Sequence, residues 1–307
     1  MNLKFKAAPN RYAILCLLII IITGGIANGS FWERRLRNFD FFPQYHTETD
    51  LKYFTLHKND YFKTRYFLEA NTDFEFFLFK YRKNLYSIFW LKLQTGMGQT
   101  PGNVVFDPMD INFGLLPVVE YRLPKMNLQF GLEHHCFHEI DRQELETVYF
   151  NKLFLAAGSA NMRPIKYWSN LAGQDGWTMA NRVSWYAQWG YFIKDFFGLV
   201  DRGLLNDQNF NNQELLTDFR YAFYRRKSWL VNFRGQTKLG TWQKDTDGIT
   251  DKKAYWRLDL GFEFSSRRGK NGAMIFINYT IDDIPPYENI PRFSKDRLLQ
   301  IGVRLFS

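Results

Sequence analysis

The stretch from Asn127 to Ala157 holds the residues whose types and spacing suit chemistry. It runs NLQFGLEHHCFH, then EIDRQELET, then VYFNKLFLAA. Both flanks alternate with period two, which predicts two antiparallel strands joined by a polar loop. Leu128, Phe130, Leu132, His134 and Cys136 share one face of the first strand; Asn127, Gln129, Gly131, Glu133 and His135 share the other. On the second strand Tyr149, Asn151, Leu153 and Leu155 lie together, and Lys152 points the opposite way. His134, Cys136 and Asn151 therefore fall on the apolar face, near the loop. A thiol, an imidazole and a carboxamide on one face form the set that nucleophilic acyl transfer uses. Residues two apart on a strand point the same way, so His134 is placed to deprotonate Cys136. Asn151 is placed to fix the imidazole tautomer through the other ring nitrogen. The developing oxyanion would need a backbone amide or a bound cation.

The same residues have plainer uses. A free cysteine behaves as a small apolar side chain against lipid. A histidine at that depth touches headgroups, and an asparagine hydrogen-bonds a loop. His134, His135, Cys136 and His138, with Asp141 nearby, also resemble metal ligands. Alternation aims His135 away from the others, so one strand cannot direct all four at one ion.

The elements that position this hairpin follow from the rest of the chain. Aromatics make up 19% of the 307 residues, a load that favours strands. Lys4, Lys6 and Arg11 precede an apolar run from Tyr12 to Ile22, and small residues follow at Gly25 and Ala27. That pattern predicts a cleaved secretory signal over residues 1–27; the run is shorter than a membrane-spanning helix. Its removal takes three positive charges and no acid from a formal net charge of +9. The remaining excess is scattered, so there is no nucleic-acid footprint. Cys136 becomes the one cysteine of the mature chain, which excludes an internal disulfide. No nucleotide loop, zinc-protease helix or serine elbow is present.

Residues 28–60 lack clear patterning and are expected to form a periplasmic N-terminal segment ahead of a barrel spanning 61–307. Period-two segments then recur to the C-terminus. The spacing predicts a first hairpin from 61–71 and 73–81, then strands over 85–95, 109–122, 127–138 and 148–157. Further strands are expected near 180–194, from 214, at 229–238, 254–265 and 273–282, and at 296–306. Residues 96–107 and 201–213 read as loops, and 159–177 as a long turn or short helix. The fold expected is all-β: a transmembrane antiparallel β-barrel of about twelve strands in the bacterial outer membrane. Long segments of ~10 residues and charges along the polar face separate it from a soluble sandwich. Short turns face the periplasm and long loops face outside, which puts His134, Cys136 and Asn151 at the outer-leaflet boundary, toward lipid.

The hairpin resembles the active hairpin of outer-membrane phospholipase A. Gly131-Leu132-Glu133-His134-His135-Cys136, then Val148-Tyr149-Phe150-Asn151-Lys152-Leu153-Phe154, is similar to that family's Gly-x-x-His-x-Ser-Asn-Gly and Ser-Trp-Asn-Arg-Leu-Tyr strands. The resemblance covers about thirty residues. It implies a twelve-stranded barrel acting on outer-leaflet lipid, with His134 as base, Asn151 as its orienting residue and Cys136 in the nucleophile's place. Phe137-His138 stand where the family has Asn-Gly. For calcium, the loop offers oxygens from Glu139, Asp141 and Glu144, and Arg142 could meet a phosphate. The expected partners are outer-membrane lipids, and a homodimer is compatible with such a barrel. The non-enzymatic alternative is a narrow porin or a structural barrel, its lumen lined by Lys92, Lys152, Arg234, Arg257, Asp259 and Glu263. About twelve strands is small for a roomy pore.

Overall fold

The computed structural model describes residues 39–41, 45–56, 67–82, 84–99, 105–140, 148–159, 182–193, 209–226, 228–246, 249–268, 271–282 and 297–306. The signal expected over 1–27 and the turn or helix expected over 159–177 fall outside these residues, save Ser159. Thirteen strands form one antiparallel sheet: β1 (Phe39–Phe41), β2 (Tyr45–Leu56), β3 (Leu68–Tyr81), β4 (Leu85–Gln99), β5 (Val105–Arg122), β6 (Met126–Glu139), β7 (Val148–Ser159), β8 (Val183–Ile193), β9 (Asn209–Arg226), β10 (Trp229–Thr246), β11 (Ile249–Arg268), β12 (Asn271–Asp282) and β13 (Arg297–Phe306). Each pairs with its neighbour in sequence from β2 onward, and β13 returns to pair with β2. β1 and β2 occupy successive parts of one side of β3, so together they make one wall position. The result is a closed twelve-stranded barrel. Closure leaves no open edge, which is the condition for β structure inside lipid.

Several boundaries differ from the sequence expectation. The stretch read as a periplasmic segment supplies the first wall position, from Phe39 to Leu56. Its alternation is carried by charge: His46, Glu48, Asp50 and Lys52 point inward against Thr47, Thr49, Leu51 and Tyr53. Two threonines on the outer side blunt the apolar signal. Of the hairpin expected from 61–71 and 73–81, residues 61–66 lie outside the described residues; the part from Leu68 to Tyr81 is one strand, β3, running through Asn71 and Thr72. Those polar residues mark cross-strand contacts, not a turn: Asn71 Nδ2 donates to Asp50 Oδ1 at 2.7 Å, and the Thr49 and Thr72 hydroxyls meet at 3.3 Å. Glycine-rich 96–107 largely joins β4 and β5, where the amide of Gly96 donates to Asp110 Oδ1 at 3.0 Å.

The two surfaces of the barrel have opposite chemistry. Outward positions carry exposed Leu128, Phe130, Leu155, Trp189, Phe262, Ile277 and Ile301. A water-soluble protein does not expose an apolar belt of this extent around its circumference. Against hydrocarbon the same side chains need no cover. The chain is therefore an outer-membrane type β-barrel. No helix among the described residues is long and apolar enough to cross a membrane; the crossing is made by strands.

The inside is layered. Near the short turns, Phe77, Ile88, Trp90, Leu116, Val118, Leu230, Met274 and Phe276 are packed beyond the reach of water. Above them sit ion pairs. Arg220 lies 3.0 Å from Glu263, and Arg234 lies 2.7 Å from Asp218. Lys152 bridges Glu133 and Glu214, and Arg304 joins Glu48 and Asp50 across β13 and β2. The inward residues expected from alternation thus lie where they were placed, but paired and close-packed.

Candidate active site

β6 and β7 are held in a register that sets Glu133 opposite Lys152 and His134 opposite Asn151. Alternation does the rest. Glu133, His135 and Lys152 enter the lumen, while His134, Cys136 and Asn151 share the outward face with exposed Phe130 and Leu155. A slip of one residue would exchange the two sets, so the register is the first requirement of the site.

On the outward face, His134 Nδ1 lies 2.8 Å from Asn151 Oδ1. An amide oxygen only accepts, so Nδ1 carries the proton and donates it, which places the ring's lone pair at Nε2. Asn151 is only 3% exposed and His134 is half-buried. The contact expected between His134 and Asn151 is thus formed. Two positions further along, the half-buried thiol of Cys136 lies 2.9 Å from His138 Nε2. The His138 ring in turn stands edge-on to Phe113, with ring centroids 5.8 Å apart and planes at 76°. Phe113 is the residue of β5 paired with Cys136, so the imidazole leans over the rung that carries the thiol. The sequence pattern offers His138 as a metal ligand and does not single it out as the partner of Cys136. The signal for it was present: it lies two positions beyond Cys136, on the same face.

The lumen side of these rungs is braced. Lys152 Nζ sits 2.8 Å from Glu133 Oε2 and 3.0 Å from Glu214 Oε1. Glu133 also receives His135 Nε2 at 2.6 Å and Lys92 at 3.6 Å. His135 Nδ1 meets Asn112 Oδ1 on β5 at 3.2 Å. Glycine at position 190 on β8 gives the lysine room: a Cβ there would come within 2.6 Å of Lys152 Cδ. Sequence reasoning put these charges in the lumen without showing that they tie β6 to β7 and β9 behind the candidate site.

The calcium set expected from Glu139, Asp141 and Glu144 has no side chain among the described residues. Glu139 ends β6 opposite Asp110, and its side chain lies outside the described residues, as do Asp141 and Glu144. Among the described residues, no three His, Cys, Asp or Glu side chains are grouped to hold a metal ion. That result covers the His134, Cys136 and His138 set; the side chains of the calcium set lie outside the described residues.

Compared with protein-family models, the chain matches none, and the search of curated proteins finds no match. Among solved structures it is similar to outer membrane phospholipase A from Escherichia coli, at 9% identity and a TM-score of 0.48, covering 86% of this chain and 97% of that one. It is similar to the Salmonella typhi outer membrane phospholipase dimer with bound calcium, at 8% identity and a TM-score of 0.49, covering 85% and 89%. It is also similar to an outer membrane channel from Pseudomonas putida F1, at 10% identity and a TM-score of 0.48, covering 86% and 95%. Barrels of unlike function stand side by side here, and none of these likenesses carries an activity to this chain.

Proposed function

We propose that this barrel transfers or hydrolyses acyl esters of outer-leaflet lipid at its lipid-facing surface, with Cys136 as nucleophile and His134, oriented by Asn151, as base. One observation carries the reading: the 2.8 Å contact from His134 Nδ1 to Asn151 Oδ1 on the outward face, with a thiol at the next outward position. A polar pair facing hydrocarbon is costly unless its groups bond each other or a ligand. The amide fixes the ring through Nδ1, so Nε2 is the nitrogen placed to take a proton. The thiol attacks the ester carbonyl carbon, the lipid alcohol departs, and water or a second alcohol takes the acyl group from sulfur. The substrate class follows from position, since an ester bond reaching this surface arrives within a lipid. The hairpin's resemblance to the phospholipase strands supports the same assignment.

The packed lower lumen, where Ile88 and Leu230 are fully buried, weighs against a diffusion channel. Homodimer formation belongs to the same proposal, and cross-linking in the assay detergent measures it. The experiment is fatty-acid release from mixed phospholipid micelles by wild type and Cys136→Ala, with calcium and with chelator. Release by wild type that falls at least about a hundredfold in Cys136→Ala supports the proposal. No release by wild type, or equal release by both proteins, defeats it; a step-like current in planar bilayers would favour the channel.

A further inference from the structure

The thiol is bracketed by two imidazoles, and each is held by a different partner. His134 lies on one side, bonded through Nδ1 to Asn151 on β7. His138 lies on the other, with Nε2 2.9 Å from Cys136 Sγ and its ring against Phe113 on β5. Outward neighbours along a strand are ~6.8 Å apart at 3.4 Å per residue, so the two histidines flank the thiol along the strand, and His138 is the one in contact with it. The hydrogen bond to the thiol is made by the ring that Asn151 does not hold. A site with one histidine must use that ring in both halves of an acyl transfer. This site has two, oriented independently.

We propose that His138 takes the thiol proton in the first half of the reaction and that His134 activates the acceptor in the second. The inference rests on the acyl-transfer reading above and assigns His138 a catalytic role beside it. In the first half the Sγ–H proton passes to His138 Nε2 as sulfur bonds to the ester carbonyl carbon. The carbonyl electron pair moves to oxygen and returns as the carbon–oxygen ester bond breaks. The departing lipid oxygen then takes the proton from His138. In the second half the O–H of water or an acceptor alcohol gives its proton to His134 Nε2 as oxygen bonds to the thioester carbon. The carbon–sulfur bond breaks, and sulfur recovers the proton from His134. No oxidant, reductant or other reactant is needed.

The test uses the full processed barrel, folded in detergent, with folding checked by heat-modifiable gel mobility. N-ethylmaleimide alkylation of Cys136 at pH 7 is followed by peptide mass spectrometry in wild type, His138→Ala, His138→Asn and His134→Ala. Loss of a general base is expected to slow alkylation about tenfold or more in both His138 variants. His134→Ala is expected to alkylate at the wild-type rate, and all proteins at one rate in urea. On exposure to phospholipid, His134→Ala should accumulate acyl thioester on Cys136, and His138→Ala should form none. Wild-type alkylation rates in the His138 variants, or a slowed rate in His134→Ala alone, overturn the inference even where fatty acid is released. Absence of fatty-acid release from wild type overturns the acyl-transfer reading instead, whatever the alkylation rates.

Discussion

Replacing Lys152 with methionine should destabilise the barrel although the lysine side chain enters the lumen, away from the outward face. Lys152 is 5% exposed and neutralises two carboxylates, Glu133 at 2.8 Å and Glu214 at 3.0 Å. Removing one partner of a buried ion pair costs ~3–5 kcal/mol, because the other charge is left in a poor solvent. Here each carboxylate keeps a second cation. Glu133 retains Lys92 at 3.6 Å and the His135 contact; Glu214 retains Lys238 at 3.3 Å and the Tyr255 hydroxyl at 3.2 Å. The loss should therefore sit near the lower end, about 3 kcal/mol. Urea unfolding in phospholipid vesicles, read by tryptophan fluorescence, measures it. The double variant Glu133→Gln with Lys152→Met should be no worse than Lys152→Met alone, since one stranded charge is gone. A single variant within about 1 kcal/mol of wild type would refute the reasoning, because that is the scale of a hydrated surface pair.

Other outcomes follow from the same geometry. Ile277→Arg puts a charge on the lipid face and should cost about 2–4 kcal/mol if that position is near the bilayer midplane, measured by the same unfolding titration; Gln300→Arg, facing the lumen, should cost less. Gly131→Val should lower stability by ~1–3 kcal/mol, since a Cβ there meets Phe154 Cζ at 2.6 Å and the backbone oxygen of Pro117 at 3.0 Å. Asn151→Ala should cut fatty-acid release by at least about tenfold while leaving the folded fraction unchanged, because it frees the His134 ring to turn; equal release would remove Asn151 from the site.

Much of the barrel was legible because alternation is a strong local signal where one face is greasy. Trp256, Leu258, Leu260, Phe262 and Phe264 declared β11, and Gly131 to Asn151 placed the hairpin on the correct faces. The first wall position was missed because Thr47 and Thr49 stand where large apolar residues would have marked the outer face. Asn71 and Thr72 read as a turn because side chains that break isolated strands also bond across paired ones. In the site, the His134–Asn151 contact followed from register, which the sequence fixes only through an assumed loop. The thiol's contact with His138 did not follow, since alternation puts two imidazoles equally near the sulfur. Choosing between them requires the Phe113 ring on another strand. The brace of Glu133, Lys152 and Glu214 joins residues far apart in sequence, and no local pattern announces it.

The most direct measurement weighs the protein itself. Wild-type barrel is mixed with phospholipid of a single acyl chain, quenched in acid within one turnover, and its peptides are analysed by mass. The account predicts the mass of that acyl chain on the peptide containing Cys136, lost on treatment with neutral hydroxylamine and absent from Cys136→Ala. Fatty acid released with no adduct, and at the same rate from Cys136→Ala, would contradict it.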